Sequence, residues 1–126
     1  MSVTKRRLVR LIGNTGFYAE VDIVKLQRLS RELLSYIQIN IGPHDDEYQI
    51  WKWVVPMCKA VLDCTIRLPV PFQDLPLNYP MREGLLPPDF QKIYAAFKIV
   101  ACGMAVDILE KVVIDGATYA YADFEE

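Results

Sequence analysis

The sequence predicts a mainly α fold: an antiparallel bundle of three long helices, a proline-rich crossing loop and a small C-terminal β-hairpin. Three observations lead there. Apolar residues recur at helical spacing over three long stretches, six of the eight prolines crowd between Leu68 and Pro88, and Asp115-Gly116 separates two β-prone runs. Apart from the hairpin, the predicted framework is all-α.

The stretch from Thr4 to Ile12 admits two readings: a short helix capped by Thr4 and stopped by Gly13, or an edge strand. Nothing local decides between them. From about Ala19 to Asn40, Ile23, Leu26, Leu29, Leu33, Leu34, Ile37 and Ile41 recur at spacings of three and four. Lys25, Arg28, Glu32 and Ser35 fall on the opposite stripe, the pattern of an amphipathic surface helix. Glu20 and Asp22 suit its positive N-terminal end.

Gly42-Pro43 stops that helix, and Asp45, Asp46 and Glu47 are suited to cap and start the next, from about Asp46 to Leu68. This second helix is apolar almost all round. Lys52, Pro56, Lys59, Asp63 and Arg67 share one stripe, so a single solvent-facing strip is expected, with a kink or break near Pro56. Trp51 and Trp53 stand two positions apart and point in different directions. The proline density from Leu68 to Pro88 excludes a long helix or a central strand. Phe72, Leu75, Leu77, Tyr79 and Leu86 nevertheless make the segment too apolar for a free linker, so it is expected to pack across the helices.

After Pro87-Pro88-Asp89 a third helix is expected to reach about Val112, with Gly103 in mid-helix as a small surface for another helix to approach. Val112 to Ile114 and Ala117 to Ala122 flank Asp115-Gly116, the strongest local hairpin signal in the chain.

Length and composition fit one domain spanning residues 1–126. The chain is 52% hydrophobic and 24% charged, a globular rather than a disordered balance. A domain of this size buries roughly two thirds of the surface its unfolded chain exposes, enough for a core without staples. The three cysteines, Cys58, Cys64 and Cys102, lie in apolar runs without a C-x-x-C pair, which suits a reducing compartment and a cytoplasmic location. The most apolar stretch, Ile50 to Ile66, is interrupted by Lys52, Lys59 and Asp63, so no membrane span is expected.

Charge is strongly segregated along the chain. Residues 1–31 hold seven of the fourteen Lys and Arg against Glu20 and Asp22, whereas the rest carries seven basic and fourteen acidic side chains. The formal sum of −2 conceals this polarity, which bears on partners rather than on fold.

No enzyme signature is present. His44 is the single histidine, and its neighbours Asp45, Asp46 and Glu47 are consecutive residues that cannot all converge on one ion, so neither a metal nor a cofactor is implied. A catalytic triad lacks its sequence context, and Gly13-Asn14-Thr15-Gly16 lacks the Walker lysine and the Rossmann spacing. The expected function is therefore binding rather than catalysis. If residues 117–122 form a strand, Tyr119 and Tyr121 share a face and run directly into Asp123, Glu125 and Glu126. Tyrosine is favoured at binding hot spots, and clustered carboxylates accelerate encounter with a basic partner. Asp45, Asp46 and Glu47 form a second acidic patch of the candidate surface, and whether it joins the first is decided by the fold and not by the sequence.

In general character, small, acidic and without catalytic residues, the chain resembles bacterial toxin-immunity proteins. That resemblance implies a stoichiometric inhibitor that neutralises a basic, nuclease-like toxin by covering its active site with an acidic, aromatic surface. The alternative is a nucleic-acid-binding accessory protein that uses Lys5, Arg6, Arg7 and Arg10.

Overall fold

The computed structural model describes residues 4–12, 16–44, 47–105 and 111–125. Its helices are α1 (Ile23–Asn40), α2 (Ile50–Leu62), α3 (Asn78–Arg82) and α4 (Pro88–Ala101), and its strands are β1 (Thr4–Arg10), β2 (Lys111–Ile114) and β3 (Ala117–Glu125). A single 3-10 turn, Phe72–Asp74, interrupts the proline-rich segment. The three strands form one antiparallel sheet in the order β1-β3-β2.

The all-α expectation is corrected by this sheet. Roughly half the chain is helix and a fifth is strand, a mixed α/β architecture in which the C-terminal hairpin gains a third member from the other end of the sequence. The open reading of Thr4 to Ile12 is resolved as an edge strand. Its local pattern, three consecutive basic residues followed by Leu8 and Val9, shows neither period. Only pairing with β3, across a sequence separation of 117, makes it a strand.

The helical layer is built as the apolar spacing dictates. Leu26, Leu29, Leu33, Leu34 and Ile37 of α1 are buried against α2 and α4. The exposed strip of α2 runs through Lys52, Pro56, Lys59 and Asp63, and the helix continues through Pro56 without a break. Trp51 turns inward and donates from Nε1 to the carbonyl of Ile41 at 2.7 Å, fastening the start of α2 to the end of α1. Trp53 points outward, 51% exposed. On α4, Phe90, Tyr94 and Phe97 stack successively at 5.4 and 6.0 Å between ring centroids and fill the centre of the core. The Tyr94 hydroxyl donates to the carbonyl of Pro76 at 2.6 Å, so the proline-rich segment is held to the helix beneath it. Leu75 and Leu86 of that segment are buried, as expected of an ordered crossing.

Two helix ends depart from the sequence expectation for one physical reason. Helix α4 stops at Ala101 rather than near Val112, because Gly103 adopts a left-handed φ of 72° just beyond the helix. The Gly103 N–H bonds the Val100 carbonyl and the Met104 N–H bonds that of Ile99, at 3.1 and 2.9 Å, which is the Schellman closure. The small residue therefore terminates the helix instead of admitting a neighbour at mid-helix. Residues 106–110, where the expected continuation would run, lie outside the described residues. Helix α2 ends at Leu62 in the same way, with Cys64 at φ 55° in the position glycine normally takes and Thr65 bonding Ala60. At its start, α2 uses Gln49 as N-cap, whose side chain caps no backbone N–H and instead accepts from Trp53 Nε1 at 3.1 Å; Glu47 lies in the preceding turn, and Asp45 and Asp46 lie outside the described residues.

The hairpin forms where expected. Asp115 and Gly116 have φ of 50° and 81°, the two positive values of a type I′ turn, and Ile114 pairs with Ala117 across it. β3 then continues to Glu125, beyond the expected end at Ala122. No helix among the described residues is long and apolar enough to cross a membrane.

Replacing either left-handed cap residue tests this account in opposite directions. A Cβ on Gly103 would lie 2.6 Å from the Tyr18 carbonyl oxygen, so Gly103→Ala is expected to destabilise the fold by about 1–3 kcal/mol in urea unfolding. Cys64→Gly relieves a strained β-carbon and is expected to stabilise by up to about 1 kcal/mol in the same measurement.

Candidate functional site

The sheet has two unlike faces. The register sets Leu8 opposite Tyr121, Arg10 opposite Tyr119, Arg6 opposite Asp123 and Val112 opposite Tyr119, so these side chains share one face. Val9 and Ala120, also paired, lie on the other face and are buried at 2% and 0% exposure. No residue of the first face is fully buried: Leu8, Ile114 and Tyr121 are 39%, 44% and 48% exposed, and Tyr119 and Val112 are half-buried. The result is an open patch of aromatic and aliphatic side chains. Arg10 lies beside Tyr119, and the Arg6–Asp123 pair lies beyond Tyr121.

Hydrogen bonds at its margin hold the sheet to the helical layer. Segment 16–19 runs between β1 and the residues after α4: Ala19 donates to the Arg10 carbonyl, Tyr18 to that of Gly103, and Ala105 to that of Gly16. The Tyr18 hydroxyl donates to the Tyr121 carbonyl at 2.9 Å. Asp22 performs the decisive junction. One of its carboxylate oxygens caps α1 by accepting from the Lys25 N–H at 3.1 Å, and the other accepts from the Glu125 N–H at 2.7 Å. One buried carboxylate thus satisfies an orphan amide of the helix and one of the strand.

The predicted site residues divide into three groups. Tyr119 and Tyr121 share the open face, as period two requires. Asp123 and Glu125 are present on β3 but are engaged within the chain. Asp123 pairs with the Arg6 Nε at 3.1 Å, and Glu125 receives a two-pronged contact from Arg28 at 2.8 and 3.2 Å. Arg28 accordingly holds the Glu125 carboxyl below the usual carboxylate range, and burial opposes it more weakly. Of the remaining expected site residues, Glu47 is an exposed turn residue, and Asp45, Asp46 and Glu126 lie outside the described residues.

The segregation of charge in the sequence is therefore largely spent inside the molecule. Arg7 pairs with Glu20 at 2.7 Å and lies over the Phe124 ring at 4.6 Å, and Arg28 also reaches Glu32. Lys5 and Arg10 form no ion pair among the described residues.

The three cysteines are unbridged, and burial pushes the Cys58 thiol up to about 12, far from a reactive thiolate. Lys98 is the buried cation that sequence pattern did not mark. Its Nζ lies 4.7 Å from the Phe72 ring centroid and 5.6 Å from that of Tyr94, so aromatic faces stand near it and burial lowers its basicity. A depression of about 710 Å³ along the proline-rich segment is lined by apolar residues with Arg67 and Asp74 as its charged members. No group of three His, Cys, Asp or Glu side chains among the described residues is placed to hold a metal ion.

Two outcomes follow for the junction. Asp22→Ala removes an N-cap worth about 1 kcal/mol and takes the acceptor from the part-buried Glu125 N–H at about 1 kcal/mol more, so unfolding free energy should fall by roughly 2 kcal/mol. Because the folded-state pKa of Glu125 is depressed, its contribution is complete above the unfolded-state value and is lost as pH falls through the folded one. Arg28→Gln removes that depression, so the acid-unfolding midpoint should move to higher pH, as followed by circular dichroism.

Comparison with protein-family models, with curated proteins and with solved structures finds no match to this chain.

Proposed function

We propose that this protein is a stoichiometric protein-binding module that engages its partner through the open face of the sheet. The observation that carries the reading is the row formed by Leu8, Tyr121 and Ile114, exposed, with the half-buried Tyr119 among them, on a face that the helices leave uncovered. Contiguous apolar and aromatic side chains rimmed by charge are the composition of an interaction surface. Tyrosine in particular supplies a large contact area at small entropic cost.

An immunity-type inhibitor of a toxin is the specific form proposed. Its contact differs in character from an acidic cover. With Asp123 and Glu125 held by Arg6 and Arg28, the aromatic and aliphatic row carries the affinity, and charge acts at the rim. The intramolecular pairing of Arg6, Arg7 and Arg28 also reduces the cationic surface that a nucleic acid would require.

The test is a tagged capture from the native cell at moderate salt, run with the wild-type chain and with Tyr121→Arg, whose fold is checked by circular dichroism. The expected result is one partner protein held at a one-to-one ratio by the wild type and weakened at least about tenfold by the variant. A partner retained equally by both, or recovery of nucleic acid alone, would overturn the reading.

A further inference from the structure

The free edge of β1 carries more information than its exposure. The Leu11 N–H donates to the Thr118 carbonyl, which fixes the phase of the β1–β3 ladder. In that phase Lys5, Arg7 and Val9 direct their backbone groups toward β3, and Arg6 and Leu8 direct theirs away from it. The outward carbonyl of Arg10 is taken by Ala19, at the point where the edge closes. From Thr4 to Val9 the edge has no strand beside it among the described residues.

We propose, resting on the reading that this is a protein-binding module, that this edge accepts an acidic extended segment of the partner as a fourth strand. Charge selects the occupant. The edge is flanked by Lys5 and Arg7 on one face and by Arg6 and Arg10 on the other; Lys5 and Arg10 form no ion pair among the described residues, and Arg6 and Arg7, each held through one guanidinium nitrogen in an exposed pair, keep further N–H groups for a second carboxylate. A second copy of β1 is excluded by its own sequence: every antiparallel self-pairing that joins five or more residues sets one basic side chain against another, Arg6 against Arg10, Arg7 against Arg7, or Lys5 against Arg7. Lysine and arginine on an edge repel like strands in the same way. A segment with carboxylates at alternate positions meets the opposite condition. β3 shows that β1 accepts such a neighbour, since its inner side already lies along a strand that places Asp123 on Arg6. The added strand would extend the open face, bringing its alternate side chains beside Leu8.

The experiment titrates the full-length, isotope-labelled protein with an acetylated, amidated peptide of about seven residues that alternates glutamate and valine, a length typical of one strand. The favoured frame sets its carboxylates beside Lys5 and Arg7 and its valines beside Leu8, because Arg10 on the other face stands where the edge closes. The Arg6 and Leu8 amide resonances should shift, and their hydrogen exchange should slow by about tenfold as the outward N–H groups become bonded. N-methylation of alternate peptide residues distinguishes strand pairing from general attraction. In the phase that faces β1 it should weaken binding by at least about tenfold, and in the other phase it should leave affinity within about twofold. A lysine-for-glutamate peptide should not bind. Unmoved Arg6 and Leu8 amides, or equal binding of both methylated peptides, would overturn the proposal. Neither result bears on capture through Tyr121, so failure of the edge and failure of the binding-module reading are told apart.

Discussion

The pairing of β1 with β3 is the constraint on which the rest of the structure depends. β3 is the central strand, β2 reaches the sheet only through it, and its far end is fixed to α1 by Asp22 and Arg28. The register of the pair is set by burial rather than by charge. A slip of one residue would carry Val9 from the covered face to the open one, whereas an exposed pair such as Arg6–Asp123 is worth at most about 1 kcal/mol. The ion pairs are better understood as the neutralisation of a basic strand by an acidic one, which lets the two lie side by side without like-charge repulsion.

That arrangement also accounts for the character of the open face. The sheet is covered on the side of Val9 and Ala120 and bare on the side of Tyr121, as a small antiparallel sheet with one helical layer permits. Had β3 remained part of a two-stranded hairpin, Leu8 would not stand opposite Tyr121 and the patch would keep only the aliphatic side chains of β2, Val112 and Ile114. The interaction surface is thus a product of the long-range pairing and belongs to neither strand alone.

Features governed by neighbours in sequence were legible, and those governed by distant contacts were not. The 3.6-residue spacing of α1, the solvent strip of α2 through Lys52 and Lys59, and the turn at Asp115-Gly116 are all local and all appear in the fold. Gly103 was ambiguous in kind: a glycine inside an apolar run fits both a helix contact and a left-handed cap, and only the position of Tyr18 beside it decides. β1 has no periodic signature because its faces are defined by β3. The common face of Tyr119 and Tyr121 was readable from period two. The fate of Asp123 and Glu125 was not, since Arg6 and Arg28 lie 117 and 97 residues away in sequence.

The same separation imposes an order of events on folding. Contacts of α1 with α2 close short loops, whereas the β1–β3 ladder must bring together segments more than a hundred residues apart before any of its bonds form. The strand nearest the N-terminus is therefore expected to become structured among the last elements. Until β3 arrives, Leu8, Val9 and three consecutive cations remain an unpaired segment, and the helical layer has to collapse without the sheet that later closes over it.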